Sequence, residues 1–476
     1  MARITSRVFS IAATAAAIGL LAPLAPAGAS THRAFTPGAP GAGDPYFPDM
    51  GNGGYDAQHY SLSVKYDPGT KAIDATAKIT ARATQNLSRF DFDFLGPLKI
   101  SKVTVDGRRA TYARTGAQEL VITPDRGLTQ GREFTVDVAY SGVPQLINDP
   151  ALGVSGWIAT HDGAVALSQP FGSATWYPVN DTTHDKATYD FTVTVPNGLK
   201  VLANGDPAGQ RTQGANTTFR WIDRQQTASE LVLMAIGHYD VRDTRTKTGL
   251  RNITAVDPAS VAADNTTAAD DFNKATADVI DWEQSIYGRY PFSSTGGISV
   301  LAPTVGYSLE TQTRPVYARR SAGALPSATL LSHELGHQWF GDSVTPYVWQ
   351  HIWLNEGFAT YTEWLYTEQH GGQTAQQHFD AAYASSGTDW TGKVADPGRD
   401  HIFDDLVYTR AAMTLHQLRG AIGDKAFFAL VKAWPAQHRY GNDTTAQFMS
   451  FAQRYTHKDL RPLFQTWLYT EGKPKL

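Results

Sequence analysis

Two histidines four residues apart, in His333-Glu334-Leu335-Gly336-His337, followed after an 18-residue gap by Glu356, sharply limit how this chain can fold. Residues i and i+4 project from one face of a helix, so both imidazoles can reach one ion while Glu334 points at the space beside it. Pro326 and Ser327 give a helix start, Leu331, Leu335 and Trp339 an apolar spacing, and Gly341 a stop. Glu356, in Trp353-Leu-Asn-Glu-Gly-Phe-Ala359, opens a second helix-compatible run through Phe358 to Tyr366, so the fold must pack two helices side by side. Two imidazoles and one carboxylate leave a fourth tetrahedral position open, as a catalytic zinc site requires.

The chain has no cysteine, which excludes disulfides, thiolate metal sites and cysteine nucleophiles. A net charge of −4 without a long basic run gives no reason to invoke nucleic acid or an anionic membrane. Arg3 and Arg7, then a largely apolar stretch from Val8 to Leu24 and small residues at Ala25, Ala27 and Ala29, predict a secretory signal peptide over 1–29, cut after Ala27 or Ala29. The competing reading is a transmembrane anchor. Export with removal implies a secreted, extracellular enzyme without stable membrane association, stabilised by packing and metal.

Residues 30–50, rich in Pro, Gly and Ala, predict a flexible linker. From 51 to 244 short alternating runs recur, such as Tyr60 to Tyr66, Ala77 to Ala83, Phe134 to Tyr140 and Tyr189 to Val195. Turn residues at Asp67-Pro68-Gly69, Asp106-Gly107 and Asn197-Gly198 punctuate them, the pattern of an antiparallel β domain. From 245 to 476 the pattern turns helical: Ala262 to Tyr287 places Phe272, Ala275, Val279, Trp282 and Ile286 on one face. Further amphipathic helices are expected over 411–419, 427–433, 445–455 and 460–469.

His333 to Asp342 and Trp353 to Ala359 resemble the aminopeptidase N family of zinc metallopeptidases, gluzincins that include leukotriene hydrolase. Ser168-Gln169, Ala174-Thr-Trp-Tyr-Pro178, Asp181 and Lys186-Ala187 are similar to the segment closing that family's β domain, and Asp459 to Leu468 to the end of its catalytic domain. The resemblance covers about 55 to 476 and implies an N-terminal antiparallel β domain followed by a mostly helical, thermolysin-like zinc catalytic domain, without the family's C-terminal helical module. It implies that Glu310 binds the free α-amino group, that Tyr408 donates its hydroxyl to the oxyanion, and that Gln169 lines the substrate pocket. Around Glu310 the chain departs from the family's Gly-x-Met-Glu-Asn, with Gly306 one residue further back and Leu309 and Thr311 as neighbours.

Asp342 and Glu363 are weighed as partners of the imidazoles, and a solvated carboxylate is the equal alternative for each. His351, His401 and His416 are read as non-ligands. The expected activity is zinc-dependent hydrolysis of the N-terminal peptide bond of peptides, with one Zn2+ on His333, His337 and Glu356 and Glu334 as general base. Peptide substrates are the expected partners and the chain is expected to act as a monomer. A secreted thermolysin-like endopeptidase and a non-catalytic binding protein are the rival readings.

Overall fold

The structure, a computed structural model, describes residues 34–476. The expected signal segment 1–29 and residues 30–33 of the expected linker lie outside the described residues. The first half is built on an eight-stranded sheet. From one edge its strands are Asp206–Gln213, Asn216–Thr227, Ala187–Pro196, Tyr55–Asp67, Ala72–Ala83, Glu133–Gly142, Lys99–Val105 and Arg108–Arg109. Alternation explains it: in Ala187–Pro196 every second side chain is buried, so one face seals against the core while the other meets less crowded surroundings. Neighbours run antiparallel except Ala187–Pro196 beside Tyr55–Asp67, which pair parallel because more than a hundred residues of other strands separate them in the chain. Asp106 and Gly107 both take positive φ, 49° and 74°, closing the hairpin between Val105 and Arg108 as that dipeptide should.

The second half opens on a five-stranded mixed sheet rather than directly on helices. Arg251–Val256, Ser294–Leu301 and Val316–Arg319 are parallel, with Asp240–Arg245 and Ser308–Leu309 antiparallel at the edges. Helix α1 (Ala268–Tyr287) makes the crossover. It starts six residues later than its periodicity suggested, because Asp264, Asn265, Thr266 and Thr267 favour local turns over helix. The remaining helices are α2 (Ala328–Gly336), α3 (Trp353–Gln369), α4 (Ala375–Ala384), α5 (Ala411–Ile422), α6 (Asp424–Gln437), α7 (Thr445–Gln453) and α8 (Arg461–Phe464). Sequence periodicity passed over α4, although its Thr374-x-x-Gln377 capping box is a legible start signal and both of its reciprocal hydrogen bonds form.

The linker expectation fails for residues 34–50. Phe47 is buried, with its ring edge-on to Phe171 at 5.2 Å and to Trp349 at 6.4 Å. The Asp44 carboxylate accepts from the Trp349 N–H at 2.8 Å, and the Tyr46 hydroxyl donates to Asp396. Thr36–Pro37 pairs with strand Leu87–Asp93. Prolines and glycines do prevent regular structure here, but a few aromatic and carboxylate anchors suffice to seat an irregular chain. Phe35–Leu476 packs as one compact unit. Between its two halves, the buried Lys186 ammonium donates to the carbonyls of Asp342 and Gly441, both at 3.0 Å, fixing the loop after α2 against the β domain. No helix among the described residues is long and apolar enough to cross a membrane.

Candidate active site

Ser327 caps α2, its hydroxyl accepting from the Leu330 N–H at 3.2 Å, so the helix begins where the sequence placed it. It ends sooner than Gly341: beyond Gly336 the last turn tightens, and His337 sits at the C-cap. Helix α3 carries Glu356 in its first turn and Glu363 two turns later on the same face. Gly357 lets α5 come close, since a Cβ there would stand 2.5 Å from that of Ala411. That approach fixes the π-helical turn Leu406–Arg410, which extends α5 backwards and brings the Tyr408 ring alongside His333, centroids 6.1 Å apart and planes at 21°.

Nε2 of His333 and Nε2 of His337 each lie 3.4 Å from Glu356 Oε2. The far nitrogens settle the tautomers. His333 Nδ1 donates to Glu363 Oε1 at 2.6 Å and His337 Nδ1 to the Phe340 carbonyl at 3.1 Å, so each Nε2 is the nitrogen left to present a lone pair to a metal ion. Both Nε2 atoms and the buried Glu356 Oε2 face one another, so a single cation between them would satisfy all three. Bonds of zinc length at tetrahedral angles separate ligand atoms by about 3.3 Å, so the donor set and its spacing both fit zinc. Glu310, Glu334 and His337 form a second close trio. Two carboxylates with one imidazole that already faces Glu356 fit a single zinc less well, and Glu310 is engaged elsewhere.

All seven residues singled out from the sequence line one cavity of about 320 Å³: His333, Glu334, His337, Glu356, Glu310, Tyr408 and Gln169. Glu334 is 5% exposed, and burial lifts its carboxyl above the usual carboxylate range against the pull of His333. Burial, with the Glu356 charge acting in the same direction, holds the Tyr408 phenol well above its ordinary range and therefore protonated. Glu310 follows the edge strand Ser308–Leu309, is 3% exposed, and accepts from Gln169 Nε2 at 2.7 Å.

Of the two carboxylates weighed as imidazole partners, Glu363 is one and Asp342 is not. The Asp342 carboxylate is buried without a hydrogen-bond partner among the described residues, and its hydrogen bonds run through the backbone: the N–H donates to the His337 carbonyl, and the Asp342 carbonyl accepts from Lys186 and Thr345. His351, His401 and His416 pair with Thr445, Asp404 and Tyr361, away from the cavity. Leu152, Tyr307 and Phe403, from three separate loops, and Ser308 of the edge strand complete the wall, and none of the four was singled out as a site residue from the sequence. Glu363→Ala is expected to weaken zinc binding roughly 10- to 100-fold by releasing the His333 ring, measured by competition with a chromophoric chelator. An unchanged affinity would show that the Glu363 contact is incidental.

Residues 318–467 match the Peptidase family M1 domain and residues 56–231 the Peptidase M1 N-terminal domain. Aminopeptidase N of Lactobacillus helveticus is 24% identical over 450 residues, covering 88% of this chain and 51% of its own. Leukotriene A-4 hydrolase of Xenopus laevis is 22% identical over 456 residues, covering 88% and 72%. The crystal structure of an M1 zinc metallopeptidase from Deinococcus radiodurans is similar with a TM-score of 0.82 and 27% identity, over 92% of this chain and 98% of that one. The chain spans between a third and about half the length of the curated aminopeptidases it matches.

Proposed function

Because the chain belongs to peptidase family M1, we propose that it is an aminopeptidase that removes N-terminal residues from peptides, with one zinc held by His333, His337 and Glu356. Zinc bound there supplies Lewis acidity, which polarises a carbonyl and makes a water acidic enough to attack near neutral pH. Glu334 takes the proton from the attacking water and delivers it to the departing amine. The Tyr408 hydroxyl donates to the carbonyl oxygen as it gains negative charge.

The observation that carries the exopeptidase reading is Glu310, a buried carboxylate in the wall of the same cavity. A cationic α-amine is what such a group binds best, and only a chain terminus supplies one beside the scissile bond. A structure of the Deinococcus radiodurans enzyme contains a Tyr-Ser-Ala substrate, which supports short peptides as the class of substrate here. Export belongs to the same reading and rests on the composition of residues 1–29 alone.

A peptide with a free amine and its N-acetylated twin separate the alternatives. Single-residue release from the first, about 100-fold or more faster than any cleavage of the second, is the expected result. Equal internal cleavage of both would establish an endopeptidase instead.

A further inference from the structure

Gln169 faces the cavity, and what holds it lies one layer deeper. Glu230, in the short turn Ser229–Leu231, is 1% exposed and takes no part in the cavity wall. Its Oε2 accepts from Gln169 Nε2 at 3.2 Å, while Glu310 Oε1 accepts from the same nitrogen at 2.7 Å. Carboxylate oxygens turned toward an amide require its N–H side, so both hydrogens of Gln169 are committed to the two carboxyl groups. The Gln169 carbonyl oxygen is thereby kept off both of them and left available to the cavity.

Glu230 is an expensive group to place there. Its Oε1 has no hydrogen-bond partner among the described residues, and an apolar side chain would avoid that desolvation. Burial, reinforced by the nearby Glu310 charge, pushes its carboxyl well above the usual range. Burial therefore favours the protonated form of the inner acid, Glu230.

We propose that Glu230 is a positioning residue for substrate binding: by holding the Gln169 amide in one orientation, it makes the Gln169 carbonyl and the Glu310 carboxylate a two-acceptor seat for a primary ammonium. The inference rests on the aminopeptidase reading and adds a buried residue that acts only through Gln169. Without Glu230 the amide is free to rotate and present its N–H groups to the incoming cation.

The test compares Glu230→Met, Glu230→Gln and Gln169→Ala as single variants, together with the double variant that joins Glu230→Met to Gln169→Ala. Each variant is assayed with a free-amine peptide for KM and kcat separately, and for inhibition by a free L-amino acid. Glu230→Met is expected to raise KM and the inhibition constant together by about tenfold, with kcat within about twofold of wild type. Glu230→Gln, whose amide oxygen can still accept from Gln169, restores both. The double variant is no worse than Gln169→Ala alone, because the two residues act in series. Should Glu230→Met not fold, Glu230→Ala carries the same expectation, since it too removes the second acceptor.

An unchanged KM, full additivity in the double variant, or kcat and melting temperature falling together with KM in both Glu230→Met and Glu230→Gln would overturn the proposal. A wild-type enzyme that releases no N-terminal residues would overturn the aminopeptidase reading itself. An active wild type indifferent to Glu230 overturns this inference alone.

Discussion

Glu334→Gln is expected to lower kcat/KM by about 10³-fold while the protein still binds one zinc per chain. The substitution is nearly isosteric, so the buried pocket beside α2 keeps its shape, and the residue lies outside the His333, His337 and Glu356 set. What disappears is the only function an amide cannot perform, which is to accept a proton and return it to the leaving amine. Metal content by atomic absorption and kinetics on a chromogenic aminoacyl substrate check the two halves independently. Near-normal activity would move the base elsewhere; loss of zinc would mean that Glu334 supports the metal rather than the reaction.

Chelation is expected to remove all activity and most of the metal-linked stability, yet leave the chain folded. The structure shows why the site should survive. His333 is tethered by Glu363, His337 by the Phe340 carbonyl, and α2 and α3 stay packed through a buried apolar core that includes Leu331, Leu335, Phe358 and Leu365. Zinc at 100 times its dissociation constant adds about 2.7 kcal/mol to the folded state, which a thermal melt resolves as a shift of a few degrees. Added Zn2+ should restore both activity and melting temperature. Cooperative unfolding on chelation, followed by far-UV circular dichroism, would instead make the metal a structural element.

Much of the architecture was legible because its signals are short-range. Strand alternation up to Pro196, the Asp106-Gly107 hairpin and the Ser327 cap each depend on residues within a few positions of one another. Misreadings occurred where an average property stood in for specific anchors. Residues 34–50 have the composition of a linker, but Asp44, Tyr46 and Phe47 find partners some 300 to 350 residues away, and composition carries no trace of that. The mixed sheet beside α1 was hidden for a related reason, since buried parallel strands lack the alternation that marks half-exposed ones.

The sequence by itself determined the candidate metal ligands and general base, because a helical repeat puts i and i+4 on one face whatever surrounds the helix. It also indicated Glu363, two turns beyond Glu356 on one helix, without deciding between an imidazole partner and a solvated side chain. Only the tertiary structure made that choice, rejected Asp342, and brought Gln169, Glu230 and Glu310 together across separations of 61 and 141 residues. Hydrogen bonds between buried groups are set by where whole sheets and helices come to rest. A chain can therefore announce its chemistry locally while the seat for its substrate exists only in the folded state.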